Sequence, residues 1–174
     1  SLNYNGVTRA PIRGATIQLV DSANAVVGSA TSNAQGDYTI SGSASGNVRV
    51  RVLAELKAAT HDFAVRDNTD GGSMWGMESA AFGAAAGVTQ DVHAPSGWGG
   101  SGYTAERVAG PFAILDIAYL AKEKIAGVAA TQVLSPLTIY WSPNNRPVGG
   151  NLEQGEIGTS FFTQSSTGDR ALFI

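Results

Sequence analysis

The stretch NVRVRVLAEL, residues 47–56, constrains the fold more than any other part of the chain. Val48, Val50, Val52 and Ala54 fall on one side of an extended backbone, and Arg49, Arg51 and Leu53 on the other. A period of two marks a strand with one face in a core and the other in water. Such a strand needs neighbours, and the flanking sequence supplies them. ATIQLVD (15–21) sets Ile17 and Leu19 on one face, and AVVGSATS (25–32) follows the turn Ser22-Ala23-Asn24. GDYTIS (36–41), HDFAVRD (61–67), SMWGMESAAF (73–82) and VTQDVHA (88–94) are four further strand candidates. With 22 glycines in 174 residues and only 14% charged residues, the composition suits many turns and disfavours a helical bundle. Short strands at regular spacing between Gly, Asn and Ser turns point to a β-sandwich over residues 1–96.

The glycine-rich segment PSGWGGSGY (95–103) then breaks the pattern, and residues 97–103 read as a linker. Beyond it, Thr104 and Glu106 suit a helix start, because a threonine side chain caps free N–H groups and an early acid complements the helix dipole. The apolar run that follows predicts a helix to about Ile125, ending before Gly127, with Pro111 either kinking it or marking its true first turn. Apolar residues on almost every side predict a helix that is surrounded. LTIYWS (137–142), GEIGTSFF (155–162) and RALFI (170–174) predict three strands, so residues 104–174 read as a small α+β segment. The chain as a whole is therefore expected to be mainly β: a sandwich, then one long helix and about three strands. Ser1-Leu2-Asn3 reads as a trimmed start. The ending ALFI, with no polar terminus, reads as a domain left incomplete.

Composition narrows function by exclusion. The net charge is −3 and the basic residues are scattered singly, which disfavours a nucleic-acid partner. The absence of cysteine rules out disulfides, thiolate zinc sites and thiol nucleophiles. The longest apolar run, Val108 to Ala121, contains Gly110, Pro111 and Asp116 and is too short for a membrane span.

The chemistry-bearing residues give no catalytic set. His61 and His93, even with Asp62 and Asp91, have no metal-ligand spacing. RDNTDGG (66–72) offers carboxylate and amide oxygens of the kind calcium uses, but it lacks an EF-hand's length and its bidentate glutamate, so a turn is the simpler reading. GWGGSGY lacks the lysine of a phosphate loop, and GTSFF lacks the second glycine of a nucleophile elbow. Glu153 and Glu156 lie in a glycine-rich loop with nothing to raise either pKa. A self-crosslinking sandwich needs a lysine on an early strand, and the lysines are Lys57, Lys122 and Lys124. Trp98, Tyr103 and Trp141, with Trp75, are the aromatic candidates for stacking on a glycan or a protein partner, against a core or interface role. Asp116, inside the apolar run, needs hydrogen-bond partners if buried, and backbone groups of the following strands would let it dock the helix.

PIRGATIQLVDSANAVVGSATSNAQGDYTI resembles the carboxypeptidase regulatory-like, transthyretin-like (prealbumin-like) domain. The matching positions are Pro11, Gly14 and Ala15 at the strand entry, then Thr31 or Ser32, Gly36 and Tyr38 in the next hairpin. The likeness covers roughly residues 7–60 and is expected to extend through 95. It implies an accessory sandwich rather than an activity. AGPFAILD (109–116), LTIYWSPNN (137–145) and GEIGTSFF (155–162) resemble the segment preceding the zinc-binding helix of a group of bacterial secreted metallopeptidases. That likeness implies a bacterial, secreted or cell-surface protein, lipoprotein anchoring being one route. It also implies that zinc and the H-E-x-x-H motif belong to a missing C-terminal part, the partner of this segment; support of a zinc ligand outside this chain is then the second reading of Asp116 beside docking of the helix. By that reading the chain is the non-catalytic N-terminal fragment, holding no cofactor itself, and GEIGTSFF holds a peptide by β-augmentation. The alternative is a complete extracellular module that binds glycan or protein.

Overall fold

The computed structural model describes residues 9–174, so the trimmed start read at Ser1-Leu2-Asn3 lies outside the described residues. In chain order the elements are β1 (Ala15–Asp21), β2 (Val26–Thr31), β3 (Asn47–Ala58), β4 (His61–Asp67), β5 (Ser73–Met74), β6 (Gly76–Glu78) and β7 (Phe82–Gly83). They continue with α1 (Ala109–Ala126), β8 (Leu137–Tyr140), β9 (Phe161–Gln164) and β10 (Arg170–Phe173). Among the described residues the fold is mainly β, an open mixed sheet with one α-helix, and three strands follow that helix.

The strands form a single hydrogen-bonded sheet in the order β2-β1-β3-β4-β8-β10-β9. β1 to β4 pair antiparallel, β1 with β2 and β3 with β4 through tight turns, while residues 32–46 carry the chain from β2 to β3 on the other side of β1. At the first turn the Asp21 carboxylate accepts the N–H groups of Ala23 and Ala25, each at 2.9 Å, and Asn24 adopts the left-handed conformation at φ 64°. β8 then joins β4 in parallel, with Val65 opposite Ile139, and β10 joins β8 in parallel. Parallel neighbours need a long crossover, and α1 lies within the one between β4 and β8.

The alternation of β3 sets the core. Val48, Val50, Val52, Ala54 and Leu56 are buried, while Arg49 and Arg51 on the other face both pair with Glu78, at 3.0 and 2.7 Å. One hydrophobic cluster joins Ile17, Val50, Val52 and Leu56 to Phe63, Val65 and Ile139, and to Val108, Phe112 and Leu115 of the helix region.

Several segments differ from the sequence expectation. GDYTIS and VTQDVHA carry no strand. Tyr38, Ile40 and Val92 still pack on the core, and the Tyr38 hydroxyl donates to the carbonyl of Gln90. Their period of two records which side chains face inward, not whether a ladder partner exists. SMWGMESAAF divides into β5, β6 and β7. Trp75 is the crossover point: its N–H donates to Val65 and its carbonyl accepts from Ala54, moving the chain from β4 to β3. GEIGTSFF contributes only its last two residues to β9.

The helix begins at Ala109, not at Thr104. Its first N–H groups are met by backbone carbonyls, Ala109 donating to Pro95 and Gly110 to Arg107, both at 2.9 Å. Pro111 sits in the first turn, where its missing N–H is no loss. Nor is the helix surrounded: Pro111, Phe112 and Leu115 are buried, whereas Ile117 is 66% exposed and Leu120 and Ile125 are also open. A single sheet face covers only one stripe of the helix.

Gly110 fixes how closely α1 approaches Trp141, the residue that follows β8. A Cβ there would lie 2.8 Å from both Cη2 and Cζ2 of the Trp141 indole, which is rigid and buried. Gly110→Ala is expected to lower stability by about 1–3 kcal/mol despite the better helix propensity of alanine. At Gly127, where φ is −64° and a Cβ would stand 3.5 Å from its nearest neighbours, the same change is expected to be neutral or stabilising. Urea unfolding of the two variants checks the contrast in sign.

Candidate functional site

The edge of the sheet at β9 is built by the last third of the chain. β8 leads into a loop held from several directions. The Asn151 side chain accepts from Glu153 N–H at 2.9 Å, capping a single 3-10 turn over Leu152–Gln154, and Gly155 leaves that turn at φ 77°. Arg146 pairs with Glu156 at 2.6 Å, and the other Glu156 oxygen accepts from Asn151 N–H at 2.9 Å. Asn68, 5% exposed, donates to the Asn145 side chain at 2.9 Å and to the Leu152 carbonyl at 2.6 Å. Asn145 in turn donates to the Ile174 carbonyl at 2.7 Å, so turn, loop and the end of β10 are tied together.

The Asn151 N–H, aided by Arg146, holds the Glu156 carboxyl below its ordinary range. A depressed folded-state pKa means that this contribution is fully present above the ordinary value of 4.5 and is lost as pH falls through the folded value. Acidification from above to well below the ordinary value of 4.5 is therefore expected to loosen the 144–158 loop, and Glu156→Gln is expected to remove that dependence. Chemical shifts of the loop amides across a pH titration are the measurement.

β9 closes the sheet, with β10 as its one strand neighbour among the described residues. Ser165 N–H donates to the Asp169 carbonyl at the hairpin end. Alternation along the antiparallel pair then makes Thr163–Ala171 and Phe161–Phe173 the hydrogen-bonded pairs and turns the backbone groups of Phe162 and Gln164 outward. Two rows of side chains cross the sheet to this edge. Val65, Ile139, Leu172 and Phe162 lie opposite one another in turn on one face, ending at Phe162, 56% exposed. On the other face the row is Arg66, Tyr140, Phe173 and Phe161. The rings of Tyr140 and Phe173 stack at 4.8 Å and those of Phe173 and Phe161 at 4.9 Å.

The aromatic candidates divide. Trp98 and Tyr103 do meet: they form an isolated bridge, with rings edge to face at 5.2 Å, and residues 97–103 are a closed turn in which Gly99 N–H donates to Gly102. Trp141, a stacking candidate with a core role as its other reading, is only 9% exposed and belongs to the core, beside Trp75, whose indole N–H donates to its carbonyl at 3.0 Å. Arg107 joins the groups, its guanidinium lying 4.1 Å from the Tyr103 ring centre and 5.3 Å from that of Trp141. Tyr103 is 48% exposed, but one ring face is taken by Arg107.

Asp116 has a partner the sequence did not suggest. Its two oxygens accept from Nε and Nη2 of Arg13, each at 2.7 Å, in place of the backbone groups expected. His61 lies at the start of β4 beside Thr60 and Phe63, and burial, aided by Lys122, pushes its imidazole below the ordinary value. His93 lines a different place, an open groove of about 690 Å³ between α1 and the 91–96 segment, floored by Ile17, Val52 and Phe112. Residues 66–72 form a turn: Asp67 accepts from the N–H and hydroxyl of Thr69, Asp70 accepts from Ser73, and Gly71 and Gly72 both have positive φ. Among the described residues no group of three or more His, Cys, Asp or Glu stands close enough to hold a metal ion. A zinc ion therefore has no fitting ligand set among the described residues. No helix among the described residues is long and apolar enough to cross a membrane.

Residues 5–72 match the family model of the carboxypeptidase regulatory-like domain. No curated protein and no solved structure matches the chain.

Proposed function

We propose that the chain serves as the non-catalytic N-terminal part of a secreted or cell-surface bacterial zinc metallopeptidase, holding an extended peptide by strand addition to β9. The metal chemistry in this reading belongs to the C-terminal remainder of the same protein. One observation carries the peptide-holding role: β9 is the end strand, and its outer flank presents the backbone donors and acceptors of Phe162 and Gln164. Unpaired edge groups are a template for another strand, and each hydrogen bond formed there contributes about 0.5–1.5 kcal/mol. The peptidase assignment is supported by the likeness of residues 109–116, 137–145 and 155–162 to the segment ahead of a zinc-binding helix. The carboxypeptidase regulatory-like match over residues 5–72 supports an accessory role for the first strands. Glycan stacking at Trp98 and Tyr103 has less support, because the two rings meet edge to face rather than forming one flat platform, and Arg107 already lies on Tyr103.

Titration of the labelled chain with an extended valine- and threonine-rich peptide tests the binding role. The amides of Phe162 and Gln164 are expected to shift and to gain protection from exchange. Gln164→Pro removes one outward donor at an edge position that tolerates proline, and is expected to weaken binding while leaving the fold intact. Peptides that leave both amides unmoved would refute strand addition. Zinc measured in the longer protein carrying this chain tests the peptidase assignment separately, and a metal-free longer protein with no hydrolytic activity would remove it.

A further inference from the structure

We propose that the segment added at β9 is chosen by an aromatic side chain opposite Phe161, which extends the ring ladder Tyr140–Phe173–Phe161 by one more strand. The inference rests on the strand-addition reading and adds the class of peptide to it. Each ring in the ladder comes from a different strand, β8, β10 and β9 in spatial order. Their centres are 4.8 and 4.9 Å apart, which is the spacing between neighbouring strands, and their planes are tilted by only 24° and 11°. The ladder therefore advances one ring per strand and ends at β9, the last strand of the sheet among the described residues. Phe173, in the middle, is buried with a ring on each side; Phe161 has Phe173 on one side and no further ring on the other among the described residues.

The backbone phase favours the same position. Phe161 forms its hydrogen-bonded pair with Phe173, so toward the outer flank it occupies a non-hydrogen-bonded position. Opposed residues approach most closely at such positions, about 4.5 Å between Cα atoms, and there cross-strand side chains interact most strongly. An aromatic residue opposite Phe161 meets a ring already fixed in orientation by its neighbour, so little side-chain freedom is left to lose.

Charge adds a second preference. Arg170 lies opposite Gln164 on β10, donates to the Gly168 carbonyl at 3.3 Å, and pairs with no carboxylate among the described residues. A glutamate opposite Gln164, one strand further out, brings a carboxylate toward that guanidinium. It falls three residues from the aromatic position and therefore on the opposite face of the added strand.

The experiment uses the whole chain and extended peptides in a serine and threonine background that carry one phenylalanine and a glutamate three residues away. Affinity is read by calorimetry, and engagement of β9 by the amides of Phe162 and Gln164. Phenylalanine to alanine in the peptide is expected to weaken binding about tenfold, and to leucine by a smaller factor. Phe161→Leu, which keeps an apolar side chain on β9, is expected to reduce the phenylalanine preference while peptides still move the Phe162 and Gln164 amides. Equal affinity of the phenylalanine and alanine peptides, with both amides still responding, would overturn the aromatic rule and leave strand addition standing. Silence of those amides with every peptide would instead remove strand addition itself.

Discussion

Leu115→Ala is expected to lower the stability of the chain by about 3 kcal/mol, the loss of a buried leucine together with the cavity left behind. Leu115 is fully buried, and α1 has only Pro111 and Phe112 beside it as buried residues. The contact is therefore not redundant. Phe112 and Leu115 share one cluster with Val52, Leu56 and Val65, and the helix packs on the sheet over β3 and β4. A loss of this size shifts the thermal midpoint of a chain this long by about 6–12 °C. Denaturant unfolding should give a lower midpoint with an unchanged slope. Ile117→Ala, at a site 66% exposed, should change stability by less than about 0.5 kcal/mol. Equal effects at the two positions would mean that the helix does not dock through Leu115.

What could be read in advance follows the range of the interactions. β1 and β4 occupy the stretches their alternation predicted, and β3 continues two residues beyond its own, because a period of two and a turn sequence are local properties. Phe112 and Leu115 could be placed in an apolar helix but not on a particular neighbour, since the parallel pairing of β8 with β4 has no local signature. The helix start was misplaced because Thr104 looks like a cap, whereas the carbonyls of Pro95 and Arg107 do that work. Sequence alone leaves Trp141 between a stacking and a core role, because nothing local reveals that Gly110 leaves room for it beneath the helix.

The edge site was harder still. GEIGTSFF was recognisable as strand-like, and Phe161 and Phe162 lie in it, yet the ladder they complete draws on Tyr140 and Phe173 from two other strands. Alternation assigns each of these residues a face of its own strand. Only the order β8-β10-β9, with the last strand reversed, brings the rings into one file. The candidates that were singled out, Trp98, Tyr103 and Trp141, are conspicuous as residue types. Phe161 is conspicuous only by register.

The pair Arg13–Asp116 should be the strongest polar coupling between the start of the sheet and the helix. Two parallel bonds of 2.7 Å join a guanidinium to a carboxylate across 103 positions of sequence, and the side chains are 23% and 19% exposed. Charge-assisted bidentate pairs exceed ordinary hydrogen bonds, and partial burial weakens screening by salt. Asp116→Ala is expected to cost about 2 kcal/mol, because the guanidinium is left without its partner. Arg13→Lys should rescue little, since an ammonium cannot form the two-bond fork. The surroundings leave no room for adjustment: Gly14 has φ 67°, and a Cβ there would come within 2.8 Å of the Tyr119 ring on α1. A double-mutant cycle with Arg13→Ala separates the pair from the packing around it. A coupling of about 1–2 kcal/mol, largely retained at 1 M salt, is the expected result. Additive single losses would instead mean that Asp116 stabilises the helix by other contacts, and that the entry to β1 is held by its hydrogen bonds to Ser32 and by packing against Tyr119.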